Sequence, residues 1–272
     1  MSDWQAWPVP VAAEFDPPRD APVLMLGNSL GTSTAVWDRQ VPDLRRSFRL
    51  LRFELPGHGA AAAWPGPYTI AGLGAGALAL LDSLGVERAG YAGMSLGGMI
   101  GMWLAAAAPD RIAALGLVCT SAYLPPADGW RDRAATVRAS GMGSISAPVI
   151  GRWFTAGYAA REPAVVGSVR AMLEQADPEG YAGCCEAIAA MDLRAGLAEV
   201  GAPTLVLAGA ADPATPPEHG AEIAARIAGA RLRVLPDAAH LAAVSSAAEV
   251  TAELLAHFEH AAAADQNWRA ER

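Results

Sequence analysis

Short apolar runs recur along this chain at "PVLMLGN" (22–28), the front of "FRLLRFELPGHG" (48–59), "AGYAGM" (89–94), "IAALGLVCT" (112–120), "PTLVLAG" (203–209) and "RLRVLP" (231–236). Runs this brief, bounded by Gly, Pro and small polar residues, read as strands. Their near-continuous hydrophobicity fits strands covered on both faces, as parallel sheets require. Longer amphipathic stretches lie between them, near 35–46, 69–84, 96–107, 218–228 and 246–260. Strand and helix in alternation imply an α/β fold: a mostly parallel central sheet, helices on both faces, right-handed crossovers. The helix at 69–84 is weakly specified, since Gly72, Gly74 and Gly76 each disfavour it by about 1 kcal/mol relative to Ala. It must rest on packing by Ile70, Leu73, Leu78, Leu80 and Leu81.

The alternation stops at 124–198, which opens "LPPADGW" and carries Trp130, Trp153, Phe154, Tyr158 and Tyr181 but no convincing strand. The stretch is too long for a structureless loop. It is expected to be a helical lid inserted into a core made of 1–123 and 199–272.

Residues 89–109 carry no charge, long enough for a bilayer span, but five glycines interrupt them and Ser95 sits among them. They read instead as strand, turn and helix. Hydrophobic residues are 53% and charged residues 18% of the chain, which suits a large buried core. The formal charge of −8, with no block of Lys or Arg, disfavours nucleic acid or an anionic membrane as partner. An anionic substrate must therefore find a local Arg. Cys119, Cys184 and Cys185 fit neither a disulfide framework nor a zinc site and read as core residues of a reducing, cytoplasmic compartment. "MSDWQAWPVPVAAEFDPPRD" has no basic or apolar leader pattern and is expected to be a short segment ahead of the fold.

"Gly93-Met94-Ser95-Leu96-Gly97" matches G-x-S-x-G. That motif puts a serine on a tight strand-to-helix turn, with glycines leaving room for the backbone and the hydroxyl pushed out of the sheet edge. An apolar strand before it and a helix-compatible "LGGMIGMWLAAAA" after it supply the right context. A nucleophilic serine needs a base, and the base an orienting acid. Of the five histidines, His58 lies in a turn, His219 starts a helix, and His257 and His260 fall on the solvated side of the last helix. His240 follows the last strand, where sites in such sheets collect. The acid is expected to be Asp212, three residues past the strand 203–209; Asp237 reads as a turn residue. Two backbone N–H groups should hold an oxyanion: that of Leu96, and one from the turn after the first strand, where Asn28 is the first choice and Ser29 the second.

The stretches "GNSLGT", "RLLRFELPGHGA", "GMSLGGMIGMWLA", "EGYAGCCEAIAAMDLRAGL", "PTLVLAGAADPATPP" and "AAHL" together resemble the 3-oxoadipate enol-lactonases of the α/β-hydrolase fold, over about residues 22–260. The resemblance implies cofactor-free hydrolysis of 4,5-dihydro-5-oxofuran-2-acetate, a small anionic lactone, to 3-oxoadipate in aromatic catabolism. It implies Ser95 as nucleophile, Asp212 as acid and His240 as base. It also implies a lid Arg and Trp at the substrate carboxylate, matched to Arg133 and Trp130. Trp153, another aromatic of the lid stretch, is a further substrate-binding candidate. The chain departs from the family at Glu54 to Pro56, at Ala60, at Ala242-Ala243 and at Ser245 to Ala247, which bears on the exact substrate. The same triad could serve another small-molecule esterase, lactonase, carbon–carbon bond hydrolase or haloperoxidase-like enzyme, and a non-catalytic ligand-binding member is the remaining alternative.

Overall fold

The computed structural model describes residues 11–14, 21–64 and 66–268. Among these residues seven strands form one sheet in the order β1-β3-β2-β4-β5-β6-β7: β1 (Val11–Glu14), β2 (Val23–Gly27), β3 (Arg49–Phe53), β4 (Ala89–Met94), β5 (Ile112–Val118), β6 (Thr204–Gly209) and β7 (Arg231–Leu235). The six apolar runs supply β2 to β7, which pair parallel throughout. β1 falls in the stretch expected to lead into the fold. It pairs antiparallel with β3 from Val11 opposite Phe53 to Glu14 opposite Leu50. "VAAE" has no alternation to mark it; it is a strand because β3 offers a free edge.

The helices are α1 (Val41–Leu44), α2 (Ile70–Ser83), α3 (Leu96–Ala107), α4 (Ala127–Ser140), α5 (Gly143–Trp153), α6 (Ala156–Arg161), α7 (Pro163–Glu174), α8 (Pro178–Ala190), α9 (Pro217–Arg226), α10 (Ala242–Ser245) and α11 (Ala247–Ala264). The helix expected at 35–46 is instead a 3-10 turn, Thr34–Trp37, followed by the single turn of α1. Pro42 sits in the first turn of α1, where its missing N–H does no harm but where it cannot continue a preceding helix.

Every residue of β2, β4, β5 and β6 is buried, as continuous apolar runs require. Successive residues point to opposite faces: Leu115 lies against Gly101 of α3, while Gly116 lies against Leu254 and Phe258 of α11. α3 and α9 pack on the first face, with α2 docked on α3, and α11 packs on the second, with α1 and α10 docked on α11. The weak helix α2 is capped by Thr69, whose side chain accepts the Gly72 N–H at 2.9 Å. Gly74 leaves space for the Trp103 ring, so a residue poor for the isolated helix improves its docking on α3.

Residues 89–109 are β4, a turn and α3, and among the described residues no helix is long and apolar enough to cross a membrane. Between β5 and β6 the chain runs through α4 to α8 without adding a strand. α4 and α8 pack on each other, burying Ala134 and Val137 against a helix that buries Tyr181, Cys184 and Cys185. Arg138 ties them together from outside, 2.6 Å from Glu179 and also bonded to Glu186. The three cysteines are free and buried.

His257 corrects the reading of the last helix. It is 6% exposed, with Nε2 3.1 Å from the Leu115 carbonyl oxygen; only His260 is exposed. Burial, then the charge of Arg231, pulls His257 from 6.5 to about 4, and burial does the same to His58. The unfolded chain therefore binds more protons than the folded one between those values, so stability rises with pH across that window. The melting temperature should fall as pH drops from 6.5 to about 4. His257→Gln should flatten that fall, and equal slopes for the two proteins would contradict it.

Candidate active site

Ser95 stands between β4 and α3 with φ 54° and ψ −115°, a conformation L residues avoid and which is worth about 1–3 kcal/mol of strain. Its surroundings hold it there. The Ser95 N–H donates to the Val118 carbonyl at 2.9 Å, and the Ser95 carbonyl accepts from the Met99 N–H at 3.0 Å and the Thr120 hydroxyl at 2.7 Å. The motif glycines are steric necessities: a Cβ on Gly93 would lie 2.2 Å from the Gly97 carbonyl oxygen, and one on Gly97 would lie 2.3 Å from the Gly27 carbonyl oxygen. Gly97→Ala should therefore destabilise the fold by about 1–3 kcal/mol or more, since the clash is with backbone. Denaturant melts check this, and an unchanged midpoint would contradict it.

The Ser95 Oγ lies 2.9 Å from His240 Nε2, and His240 Nδ1 lies 2.8 Å from Asp212 Oδ2. All three residues are buried, at 7%, 4% and 3% exposure. Asp212 Oδ1 accepts the N–H groups of Ala214 (2.8 Å) and Thr215 (3.0 Å), and Oδ2 accepts the Thr215 hydroxyl at 2.7 Å. Burial pushes the Asp212 carboxyl up, but His240 and the Thr215 hydrogen bonds outweigh it and the net direction is down. The group stays ionised and keeps the His240 proton on Nδ1, leaving Nε2 to accept from Ser95. Asp237 is exposed, and His219 lies on α9.

The two candidates in the turn after β2 separate. The Asn28 side-chain amide donates to the Phe53 carbonyl at 2.9 Å and to Glu54 at 3.3 Å, away from Ser95. The Asn28 carbonyl accepts the Gly97 N–H at 2.9 Å. In a trans peptide the next N–H, that of Ser29, points the opposite way, and Ser29 lines the cavity at Ser95 whereas Asn28 does not. The Leu96 N–H opens α3, so it has no acceptor within the helix.

That cavity, about 270 Å³, runs from Ser95 and His240 up to α4, α5 and α8. Trp130, Arg133 and Trp153 all line it, with the Arg133 guanidinium 4.4 Å from the centre of the Trp130 ring. The Trp130 Nε1–H donates to the Leu124 carbonyl at 3.1 Å. Arg152, unforeseen from the sequence, lines it too. Burial first, and then the charge of Arg133, lowers the Arg152 guanidinium from its usual value. Two cations thus share one wall that includes no carboxylate, in a protein of net charge −8. The only sequence signal for Arg152 was its place beside Trp153. None of the residues at which the chain departs from the resembled family lines the cavity. Glu54 instead braces the turn after β2 from below, accepting from Asn28 and from the Thr34 N–H and hydroxyl. Among the described residues no cluster of His, Cys, Asp or Glu is arranged to hold a metal ion.

Residues 22–141 match the family model described as alpha/beta hydrolase fold, and residues 185–264 match one described as TAP-like protein. The chain is 37% identical to 3-oxoadipate enol-lactonase 2 of Acinetobacter baylyi, over 83% of this chain and 84% of that one. It superposes on the crystal structure of the enol-lactonase from Burkholderia xenovorans with a TM-score of 0.89 at 40% identity, covering 92% of this chain and 97% of that one. A hydrolase structure from Pseudomonas aeruginosa matches with a TM-score of 0.88 at 45% identity, covering 92% and 94%. A strained serine on an α/β sheet and likeness of this extent together establish that the chain is a hydrolase belonging to the 3-oxoadipate enol-lactonase family of the α/β-hydrolase fold.

Proposed function

We propose that this enzyme opens 3-oxoadipate enol-lactone, 4,5-dihydro-5-oxofuran-2-acetate, to 3-oxoadipate. The observation that carries the reading is the cavity that joins the Ser95–His240–Asp212 array to an Arg133–Arg152 wall without a carboxylate. A small lactone bearing one carboxylate has a reactive end and an anionic end, and the cavity has a counterpart for each.

His240 takes the Ser95 proton through Nε2 and the alkoxide attacks the lactone carbonyl carbon. The N–H groups of Ser29 and Leu96 hold the tetrahedral oxyanion; Ser29 replaces Asn28 in this role because of the peptide orientation described above. The ring C–O bond breaks, the leaving oxygen departs as an enolate, and His240 returns the proton to it. Water gives a proton to His240 and attacks the acyl–Ser95 ester; the acyl–Oγ bond breaks, His240 returns that proton to Ser95 and the acid is released, while the enol becomes the ketone of 3-oxoadipate. Asp212 fixes the imidazole tautomer and stabilises its charged form. Arg133 and Arg152 face the free carboxylate, where guanidinium suits two-point recognition. Helices α4 to α8 act as a lid that keeps bulk water out. The reading brings with it a cytoplasmic place in aromatic catabolism.

Ser95→Ala should lower kcat by about 10⁴-fold or more; wild-type turnover would contradict the mechanism. Arg133→Met and Arg152→Met should each raise KM for the acid lactone by about 10-fold or more, as expected for losing a charged hydrogen bond worth about 1.5–3 kcal/mol. Hydrolysis of a neutral aryl ester should change by no more than about twofold, since that substrate has no charge to lose. Equal losses on both substrates would contradict the carboxylate role, and a wild type that hydrolyses the aryl ester but not the lactone would contradict the substrate.

A further inference from the structure

The turn after β3 carries a histidine that this chemistry leaves unused. His58 is 1% exposed. Its Nδ1 lies 2.8 Å from the Pro56 carbonyl oxygen, and its Nε2 accepts the Gly31 N–H at 2.9 Å. Only a neutral ring with its proton on Nδ1 serves both contacts, and burial, which pulls His58 down to about 4, keeps the ring neutral. Gly31 ends the loop that begins at Asn28, and each peptide of that loop is tied. The Asn28 carbonyl is held by the Gly97 N–H, the Ser29 carbonyl by the Thr32 N–H and hydroxyl, and the Gly31 N–H by His58. The first two ties come from α3 and from the loop itself. The third alone comes from the 56–59 turn, which is also seated on the inserted helices: the Asp177 N–H donates to the Gly57 carbonyl at 2.8 Å, and Gly180 packs so closely that a Cβ there would lie 2.5 Å from the Pro56 carbonyl oxygen. His58 therefore bridges the base of α8 and the loop beside Ser95.

We propose that His58 is a positioning residue: through Nε2 it holds the Gly31 N–H and so keeps the 28–31 loop in the orientation that aims the Ser29 N–H at the oxygen of the reacting carbonyl. This rests on the reading that the loop supplies an oxyanion donor.

Two variants divide the two contacts. His58→Gln keeps an acceptor where Nε2 stood and gives up the bond to Pro56; His58→Asn keeps a donor where Nδ1 stood and gives up the acceptor for Gly31. Hydrolysis of a neutral aryl ester and inhibition by an alkylboronic acid, whose tetrahedral serine adduct places an oxygen between the oxyanion donors, read the effect. His58→Asn should lose about 10-fold in kcat and in boronate affinity with KM within about twofold, less than the 10²–10³ typical of deleting a donor outright. His58→Gln should return to within about threefold of the wild type on that scale. Equal losses in both variants, or boronate affinity unchanged in a folded His58→Asn, would overturn the proposal alone. A wild type that binds no boronate would overturn the Ser95 reading and this proposal with it. Should neither variant fold, long-range ¹H–¹⁵N spectra of the wild-type histidines decide: a proton on His58 Nδ1 at neutral pH supports the proposal, and a proton on Nε2, which leaves Gly31 no acceptor, overturns it.

Discussion

The backbone of Ser95 is the constraint on which the site depends. Its positive φ is unfavourable in isolation, and it persists because the Val118 carbonyl, the Met99 N–H and the Thr120 hydroxyl fix both its polar groups. Those partners exist only if β5 lies beside β4 and α3 starts directly after the turn. The turn can be that tight only if Gly93 and Gly97 lack side chains. Sheet order, helix start and glycine placement are thus conditions of one another, and together they lift the hydroxyl clear of the sheet edge toward His240. The same close approach lets Gly97 donate to Asn28, which turns the Ser29 N–H toward the cavity. One geometric arrangement places both the candidate nucleophile and the loop that faces it.

Electrostatics divides the cavity into two ends. At the Ser95–His240–Asp212 end, Asp212 is buried but has four hydrogen-bond donors around it, counting His240, so its charge is compensated locally. At the far end, Arg133 and Arg152 repel one another, and among the described residues neither has a carboxylate partner. Cations held this way interact strongly with an anion that enters a partly water-excluded site. The acidic protein as a whole repels such an anion at long range, but screening confines that repulsion to about 10 Å at ordinary ionic strength. Inside the cavity the near charges prevail.

Much of this was legible in the chain itself. The elbow was legible because its steric requirement is local: glycine two residues before and two after a serine, between an apolar strand and a helix. Asp212 and His240 were legible because residues of this kind arrive at strand C-terminal ends in a fixed order. What escaped depended on pieces meeting in space. "VAAE" becomes a strand only against β3. His257 occupies the face of α11 that docks on β5, which helical spacing with His260 could not reveal. Arg152 reads as an ordinary charge on an amphipathic helix until α5 is laid over the cavity. The proposed preference for Ser29 over Asn28, both offered by the sequence, turns on one peptide plane set by Gly97, a residue 68 positions away from Ser29.

The central claim is that the strained Ser95 is a nucleophile activated by His240. Peptide mass spectrometry after treatment with a fluorophosphonate tests it directly, because the reagent marks only a serine whose hydroxyl attacks. The account predicts stoichiometric labelling of the peptide that contains Ser95, none in Ser95→Ala, and labelling slowed by several orders of magnitude in His240→Ala. A wild-type protein left unlabelled, or one labelled at another serine, would contradict it.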